Sequence, residues 1–415
     1  MSDSQDLWLT RDLRLGDQYT LTASFDSRAE GHWARVVGAR RHDQGDVVAL
    51  KIMRRAHLAS DAVYKMFCHE ARLLDHLGRH EATRDRINAL RGCGYVRPAP
   101  QPRPGRVDLE WCANLDEFEG QIPARRPQWL PFLALETIPF ERSLLHLAGG
   151  LSRAPNQMLP LAEWLDIARQ GLRVLAACHD QRIFYIDHKL EHVMWDGKTL
   201  RFIDWNVTDW EQDGTGGAPP WSAAIVRHKT WRDLRHFTAL VLFPLLARHT
   251  IDTESANPTG GPASVRHGRR PIEAHSGNVS IDRIHLPQGR LDFHEDGTPL
   301  FDDDLKSLLT RAVQNDPDLG YESAGQYLAA LEAYGQRWRE TAEGFDTYLT
   351  GYTARVRDIQ RELREVEEGL QELLREVTGQ VGSQPRGVYL EIGRLYRSVK
   401  DMRRHIVLPE RGGPP

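Results

Sequence analysis

The sequence predicts an α+β protein with a strand-rich first part, a helical second part and a helical tail. Three observations carry this prediction. An apolar run at 47–53 (VVALKIM) follows a polar turn at 42–46, as the second strand of a hairpin does. Apolar residues recur with helical spacing over 161–179, and an apolar repeat with steps of four and three runs from 352 to 377.

The first part is expected to consist of short strands around one helix. Apolar patterns predict strands at 19–24, 33–40, 47–53, 107–118 and 130–137. A stripe of apolar residues predicts a helix at 62–77, and the proline-rich stretch at 97–105 predicts a loop.

The second part is expected to be mostly helical. The predicted helices cover 161–179, 230–247, 303–314 and 323–338. Residues 251–299 are rich in Gly, Pro, Ser and His and show little periodicity, which predicts a long excursion without regular structure.

The tail differs from the rest of the chain in its pattern. Its regular apolar positions are Tyr352, Val356, Ile359, Leu363, Val366, Leu370, Leu373 and Val377. This spacing is typical of a coiled-coil seam. Residues 379–387 interrupt it, and 388–406 form a second amphipathic segment. Three arrangements are open: packing on the protein's own globular part, a helical hairpin within one chain, or a homodimer through 352–377.

The composition indicates a soluble globular protein. The 415-residue chain is 40% hydrophobic and 27% charged, with a formal net charge of −4. Such a balance gives no support for a nucleic-acid or membrane partner, and no apolar stretch approaches the length of a membrane span. The four scattered cysteines show no CxxC spacing and are typical of reduced core thiols. A cytoplasmic location is expected.

A small set of charged residues carries the candidate chemistry. Asp187 and Asp204 each follow a short apolar run, and Lys189 stands two residues after Asp187. Upstream, Lys51 lies within the predicted strand at 47–53, and Glu70 lies within the helix that follows. Only 7 of the 54 basic residues are lysines, so a lysine at these positions indicates a need for a compact ammonium group.

In this order and spacing, these residues resemble the protein-kinase superfamily over about residues 15–340. The resemblance implies a bilobal fold, with ATP and Mg²⁺ or Mn²⁺ as cofactors. It implies catalytic roles for Asp187 and Lys189 and metal binding by Asp204 and His192. The implied nucleotide-binding residues are Gly31, Val36, Ala49, Lys51, Glu70, Glu136, Ile138 and Met194. Other implied positions are Leu135 as gatekeeper, 136–138 as hinge, Asp233 as the buried support of the catalytic loop, and 312–324 as a late signature of bacterial serine/threonine kinases.

The sequence also departs from the kinase pattern. Gly31 alone remains of the three glycines of the nucleotide loop, and Tyr185-Ile186 replaces the usual His-Arg before the catalytic aspartate. Trp205-Asn206 follows Asp204 where Phe-Gly is usual, and we expect Asn206 to adopt the left-handed backbone of the glycine. His192 replaces an asparagine metal ligand, and an imidazole nitrogen is a poor ligand for magnesium.

Three functions therefore stay open at this stage. The first is a divergent protein kinase that phosphorylates Ser or Thr of a protein substrate. The second is a pseudokinase that acts as a nucleotide-regulated scaffold for an effector partner through its coil. The third is a small-molecule kinase. The expected domains are an N-terminal extension (1–14), an N-lobe with hinge (15–138), a C-lobe (139–340) and the tail (341–415).

Overall fold

A computed structural model describes the greater part of the chain. The described residues are 9–22, 33–98, 105–122, 128–153, 159–211, 219–247, 303–340, 359–374 and 392–400. The chain divides into two compact units, Met1–Glu332 and Ala333–Pro415, and each is described by itself. Within the described residues, no helix is both long and apolar enough to span a lipid bilayer.

The first unit begins with a β-rich region. The strands of the described chain are β1 Arg14–Leu15, β2 Tyr19–Leu21, β3 Ala34–Arg41, β4 Val47–Met53, β5 Leu90–Val96, β6 Arg106–Val107, β7 Leu109–Cys112, β8 Leu130–Glu136, β9 Ile183–Phe184, β10 Val193–Trp195, β11 Leu200–Phe202 and β12 Asp209–Trp210. The first eight form one sheet in the order β6-β1-β2-β3-β4-β8-β5-β7.

The two outer strands of this sheet are neighbours in the sequence. Only Asp108 separates β6 from β7, yet β6 pairs with β1 and β7 pairs with β5 at the opposite edge. The segment 106–112 therefore joins both edges, and the sheet curls towards a barrel. Such closure protects strand edges that would otherwise be open to pairing with another chain.

The hairpin of β3 and β4 forms where the sequence predicts it. Seven residue pairs join the two strands, from Ala34 opposite Met53 to Arg40 opposite Val47. Gly45 in the turn has φ +72°, a left-handed conformation that glycine adopts without steric cost. The predicted strand at 47–53 is confirmed residue for residue.

The predicted helices are present with corrected ends, and the second, third and fourth helices of the described chain were not predicted. The helices are α1 Asp61–Arg79, α2 Glu81–Arg84, α3 Leu115–Gly120, α4 Leu144–Arg153, α5 Leu161–Asp180, α6 Ala223–Phe237, α7 Phe243–Ala247, α8 Asp303–Ala312 and α9 Ala324–Glu340. The hydroxyl of Ser60 accepts the Val63 N–H and so caps α1. Leu73, Leu74 and Leu77 are among the side chains that α1 buries, as its apolar stripe predicts.

Two predictions in the first part were wrong in detail. The expected single strand at 107–118 is β6 and β7 followed by α3, because Asn114 accepts the Glu117 N–H at 2.8 Å and starts a helix. Strand β5 was not predicted, since Gly92 and Gly94 weaken its strand pattern. A Cβ at Gly92 would lie 1.8 Å from the Trp111 ring, so the packing itself requires glycine there.

The long predicted helix at 230–247 also differs from the structure. Helix α6 begins at Ala223, where the Ser222 hydroxyl accepts the Ile225 N–H, so Asp233 lies in the third turn and does not open the helix. A π-helical turn at Thr238–Leu242 joins α6 to α7. Pro244 lacks the N–H that a regular α-helix needs at this point, which accounts for the break.

The first unit thus confirms the predicted α+β class, with a β-sheet N-terminal region and a helical C-terminal region. The core of the helical region is buried around α5, where Trp164, Leu172 and Leu175 are almost fully covered. Two small antiparallel sheets, β10–β11 and β9–β12, lie in the helical region and carry the loops of the candidate site.

The second unit is helical at 359–374 and 392–400. The Gln371 amide donates to the Tyr396 hydroxyl at 2.7 Å, so the two segments contact each other within one chain, as a hairpin requires. Val366 and Leu373 of the predicted seam stay about half exposed. Residues 352–358 and 375–377 lie outside the described residues, as does the 251–299 excursion, and dimerisation stays a prediction.

Replacing Leu363 and Leu370 with Asp should disrupt the tail without unfolding the first unit. Leu363 and Leu370 are half-buried, and two charges at these positions of a helix seam oppose its packing. We expect rapid limited proteolysis within 341–415, together with loss of any dimer measured by mass in solution. Replacing the exposed Glu365 and Glu372 with Ala is the matched control and should change neither result. Unfolding of the whole protein by the Leu pair would show that the tail belongs to the core.

Candidate active site

One face of the N-terminal sheet carries the predicted nucleotide-binding positions. Val36 on β3 lies opposite Lys51 on β4, and Ala49 lies opposite Leu135 on β8. Residues directly opposite each other in an antiparallel pair share a face, as do alternate residues of one strand. Val36, Ala49, Lys51 and Leu135 are therefore side by side, and Leu135 is buried.

Lys51 joins the sheet to α1 and to the loop after β11. Its Nζ lies 2.9 and 2.7 Å from the two carboxylate oxygens of Glu70, and 2.6 Å from Oδ1 of Asp204. The Lys51 and Glu70 side chains are only 8% and 1% exposed, whereas that of Asp204 is 31% exposed. The ammonium thus binds two carboxylates that the sequence separates by more than a hundred residues.

The electrostatics of this group leave negative charge at Asp204. Burial opposes the ammonium of Lys51, but Asp204 and Glu70 raise its pKa above the ordinary value. Burial also opposes ionisation of Asp204, yet Lys51 and His192 lower its pKa to about 2. Burial raises the pKa of Glu70 in spite of Lys51. One lysine beside two carboxylates favours a further cation near Asp204.

The catalytic-loop residues meet Asp204 from the other side. Lys189 Nζ lies 3.0 Å from a carboxylate oxygen of Asp187. His192 stands between the two aspartates, with Nε2 3.4 Å from Asp204 Oδ2 and Nδ1 3.4 Å from Asp187 Oδ2. Its Nδ1 also lies 3.1 Å from the backbone carbonyl of Asp187. The imidazole therefore faces both carboxylates.

Asp187, His192 and Asp204 form a possible metal-binding group. One ligand atom from each lies within 4.8 Å of the others, and within the described residues this is the one such group of three. Two carboxylates and an imidazole fit a divalent transition ion such as Mn²⁺ better than Mg²⁺, which prefers oxygen ligands alone. The donor set therefore fits a metal, with Asp204 and His192 as the predicted ligands.

Replacing His192 with Asn should shift the metal preference from Mn²⁺ towards Mg²⁺. The amide oxygen of Asn is a hard ligand, whereas the imidazole nitrogen favours Mn²⁺. We expect the ratio of nucleotide affinities in Mn²⁺ and Mg²⁺, measured by calorimetry, to fall by about fivefold or more. His228→Asn, on α6, is the control. Equal metal preference in the wild type and His192→Asn would place His192 outside the metal site.

A buried aspartate supports the catalytic loop from α6. Asp233 is fully buried and accepts the backbone N–H groups of Tyr185 at 3.1 Å and Ile186 at 2.9 Å. Two histidine rings also contact its carboxylate, His179 at 2.8 Å and His188 at 2.6 Å. Burial opposes ionisation, but His188 and His179 hold the pKa of Asp233 far below its usual value.

This support holds strained backbone next to Asp187. Ile186 has φ +65°, which is unusual for a β-branched residue and costs about 1–3 kcal/mol. Its N–H is bound by Asp233, and its carbonyl lies 2.8 Å from Nδ1 of His236. The loop conformation that presents Asp187 is therefore imposed by α6.

Trp205 fills a core position below the site. Its side chain is fully buried, and its indole N–H donates to the Phe202 carbonyl at 3.1 Å. Its backbone N–H also favours the ionised form of Glu70 on α1 and so opposes the rise in the pKa of that carboxyl. One prediction was wrong here: Asp204, with φ +61°, has the left-handed backbone, and Asn206 is not among the described residues with positive φ.

A small cleft brings together the predicted hinge and floor residues. Glu136, Ile138 and Met194 line it with Arg201 of β11. Arg201 donates to the Glu136 carboxylate at 2.6 Å, and the Glu136 N–H donates to the Ala89 carbonyl at 2.8 Å. The hinge is thus fixed to the β10–β11 hairpin by an ion pair.

Some residues of the site were not predicted, and one lies outside the described part. His179, His188, His236 and Arg201 were missed, although His188 stands next to Asp187 in the sequence and could have been considered. The others come into contact only through long-range folding. Gly31 and most of its loop lie outside the described residues.

No protein-family model matches the sequence, and no curated protein matches it. The solved structure "Rad53 1-466 in complex with AMP-PNP", from a protein kinase, is similar to this chain with a TM-score of 0.45 and 14% identity. The match covers 75% of this chain, which spans 64% of the length of that structure.

Proposed function

We propose that this protein binds ATP with a divalent cation and transfers the γ-phosphate to a Ser or Thr hydroxyl of a protein substrate. One observation carries the proposal. The Lys51 ammonium contacts Glu70 and Asp204, and Asp204 also belongs to the group that contains Asp187 and His192. A positive charge for the phosphates and a candidate base therefore lie at one site. Phosphoryl transfer needs little more from a protein than charge neutralisation and an oriented hydroxyl.

Lys51 and Glu70 act as a pair in this proposal. Glu70 holds the ammonium of Lys51 at the sheet face, where it contacts the α- and β-phosphates of the nucleotide. Val36, Ala49 and Met194 provide apolar contact for the adenine, and the backbone of 136–138 provides its hydrogen bonds. The hinge ion pair between Glu136 and Arg201 keeps this backbone in place.

Asp187 and Lys189 act on the transferred group. Asp187 orients the substrate hydroxyl and accepts its proton, and Lys189, 3.0 Å away, neutralises charge on the γ-phosphate. When bound by Asp204 and His192, a divalent cation neutralises the negative charge that the phosphates carry. Asp204, with its pKa lowered to about 2, is ionised and ready for this cation at neutral pH.

A second candidate function is supported by the position of His192. Its imidazole lies 3.4 Å from a carboxylate oxygen of both Asp187 and Asp204. A protonated ring here would hold both carboxylates without a metal and leave the protein a nucleotide-binding scaffold without transfer. This candidate shares the nucleotide site with the first and differs from it in the chemical step.

Radiolabelled phosphate transfer separates the two functions. The wild-type protein is incubated with γ-labelled ATP, generic protein substrates and either Mg²⁺ or Mn²⁺. A protein kinase labels itself or a substrate, and the label is stable as phosphoserine or phosphothreonine. A scaffold binds the nucleotide but transfers no label above the level of the Asp187→Ala variant.

Replacing Lys51 with Ala should weaken nucleotide binding. The lost ammonium removes a charge-assisted contact worth about 1.5–3 kcal/mol, which is roughly tenfold or more in affinity. Calorimetry with ATP and Mn²⁺ measures this change. Lys65→Ala, a lysine on α1 at an exposed position, serves as the matched control. Equal affinity of Lys51→Ala and the wild type would exclude Lys51 from the phosphate site.

A further inference from the structure

Helix α1 carries Glu70, and the position of this helix decides whether Glu70 reaches Lys51. Two residues further along, Arg72 points to α3. Its Nε and Nη2 lie 2.5 and 2.7 Å from the two carboxylate oxygens of Glu119, and Nη2 lies 3.0 Å from Asp116. A two-pronged guanidinium–carboxylate pair fixes orientation as well as distance. Helix α1 is therefore attached to α3.

Helix α3 is itself firmly placed on the sheet. Phe118 is fully buried, its ring lies 5.2 Å from that of Tyr95 on β5, and its carbonyl accepts the Tyr95 hydroxyl. Asn114 caps the helix start. Helix α3 lies between β7 and β8 in the sequence, and both strands belong to the sheet that carries Lys51 on β4. The attachment point of α1 is therefore connected directly to that sheet.

Helix α1 is also attached to the segment 207–211, which follows the Asp204 loop. His69 Nε2 lies 2.8 Å from the Thr208 carbonyl, and the Trp210 ring lies 4.9 Å from that of His76. Both histidines are on α1, on either side of Arg72 in the sequence. Helix α1 thus has two attachments, one to α3 through Arg72 and one to this segment through His69 and His76.

Two carboxylates within the segment 207–211 attach it to other parts of the helical region. Asp209 binds the ammonium of Lys229 on α6, and Glu211 pairs with Arg182 at 3.9 Å. The Glu211 N–H also donates to the Arg182 carbonyl at 3.1 Å. Arg182 has φ +58°, an unusual conformation for a side chain of this size. Two carboxylates of the segment thus attach it to Lys229 and to Arg182.

We propose that α3 and the segment 207–211 are internal braces that hold α1 with Glu70 against Lys51. Arg72 and Glu119 are positioning residues, since they act on the nucleotide site through α1 without touching it. Every brace is a residue of this chain, so the proposal needs neither added phosphate nor a partner protein. The effect on transfer rests on the proposed function, whereas the bracing of α1 does not.

The test compares Glu119→Arg, Arg72→Glu, and the double variant that carries both changes. Each single variant places two like charges together, and the double variant restores an opposite-charge pair. Arg79→Ala is the control, because its pair with Asp75 is exposed and lies on α1 alone. Two readouts need no nucleotide: hydrogen exchange of the α1 amides, and alkylation of Cys68, which is half-buried on α1 while the other three cysteines are buried. The third readout is nucleotide KM and kcat.

We expect each single variant to raise α1 exchange and Cys68 alkylation by about tenfold, and the double variant to return within about threefold of the wild type. Nucleotide KM should rise in the same variants in which α1 exchange rises, and kcat should change by a smaller factor than KM. Phosphatase treatment should leave wild-type activity unchanged.

Two results would overturn the proposal. One is unchanged α1 exchange and Cys68 alkylation in the single variants, and the other is a double variant whose exchange and alkylation are as fast as in either single variant. Loss of activity on phosphatase treatment would overturn the claim that no phosphate is needed. A wild type that binds no nucleotide defeats the proposed function alone, because exchange and alkylation still decide whether α3 braces α1.

Discussion

Replacing Asp233 with Ala is expected to lower the free energy of unfolding of the first unit by about 3–5 kcal/mol. The change removes a fully buried carboxylate that accepts two backbone N–H groups and contacts two histidine rings. All four groups lose their acceptor in a site without water access, and each unsatisfied buried donor carries a desolvation cost. Ile186 also loses the contact that holds its left-handed backbone.

Denaturation in guanidinium chloride, followed by tryptophan fluorescence, measures this loss. Asp166→Ala, an exposed carboxylate of α5 paired with Arg169, should change the free energy by less than about 0.5 kcal/mol. For Asp233→Asn, the loss of unfolding free energy should lie between these two values. The amide keeps one oxygen that accepts a hydrogen bond, but its NH₂ group faces N–H donors and cannot bond to them. A loss below about 1 kcal/mol for Asp233→Ala would show that the loop does not depend on this carboxylate.

The same carboxylate predicts a pH dependence. The pKa of Asp233 is lowered in the folded protein, so its ionised form stabilises the fold above the ordinary aspartate pKa of about 4. This contribution is lost as the pH falls below that value. Asp233→Ala should therefore show a smaller loss of stability between about pH 5 and pH 3 than the wild type does.

The sequence was sufficient for features that depend on local patterns. Strand β4 and helix α1 follow from an apolar run and an apolar stripe, and these two elements carry Lys51 and Glu70. The order of charged residues then indicated the fold, because their types and spacing resemble one superfamily. The structure brings Lys51, Glu70, Asp187, Lys189, His192 and Asp204 together at one site.

Features that depend on long-range packing were not predictable in this way. Strand β5 contains glycines because the Trp111 ring and the Glu110 backbone lie against it, and neither contact is visible in the pattern of β5 itself. The histidine partners of Asp233 stand 54 and 45 residues away from it in the sequence. Helix α3 depended on a capping residue, Asn114, within a segment that otherwise has a strand-like composition.

The second large effect is expected at Asp187. Asp187→Asn should lower the rate of phosphate transfer by about 10²–10⁴-fold, because an amide cannot accept the proton of the substrate hydroxyl. Nucleotide affinity should stay within about threefold of the wild type, since Lys51 and Glu70 are unchanged. Asp166→Asn is the matched control and should keep full activity, because this side chain is exposed on α5.

Transfer of label from γ-labelled ATP in Mn²⁺, measured for the wild type and Asp187→Asn at equal nucleotide occupancy, tests the proposed function most directly. A protein kinase built on this site predicts labelling of Ser or Thr by the wild type, and a loss of at least about a hundredfold in Asp187→Asn. Equal labelling by both proteins would contradict the role of Asp187. Full nucleotide occupancy with no labelling by the wild type would contradict the transfer reaction and leave the nucleotide-binding scaffold in its place.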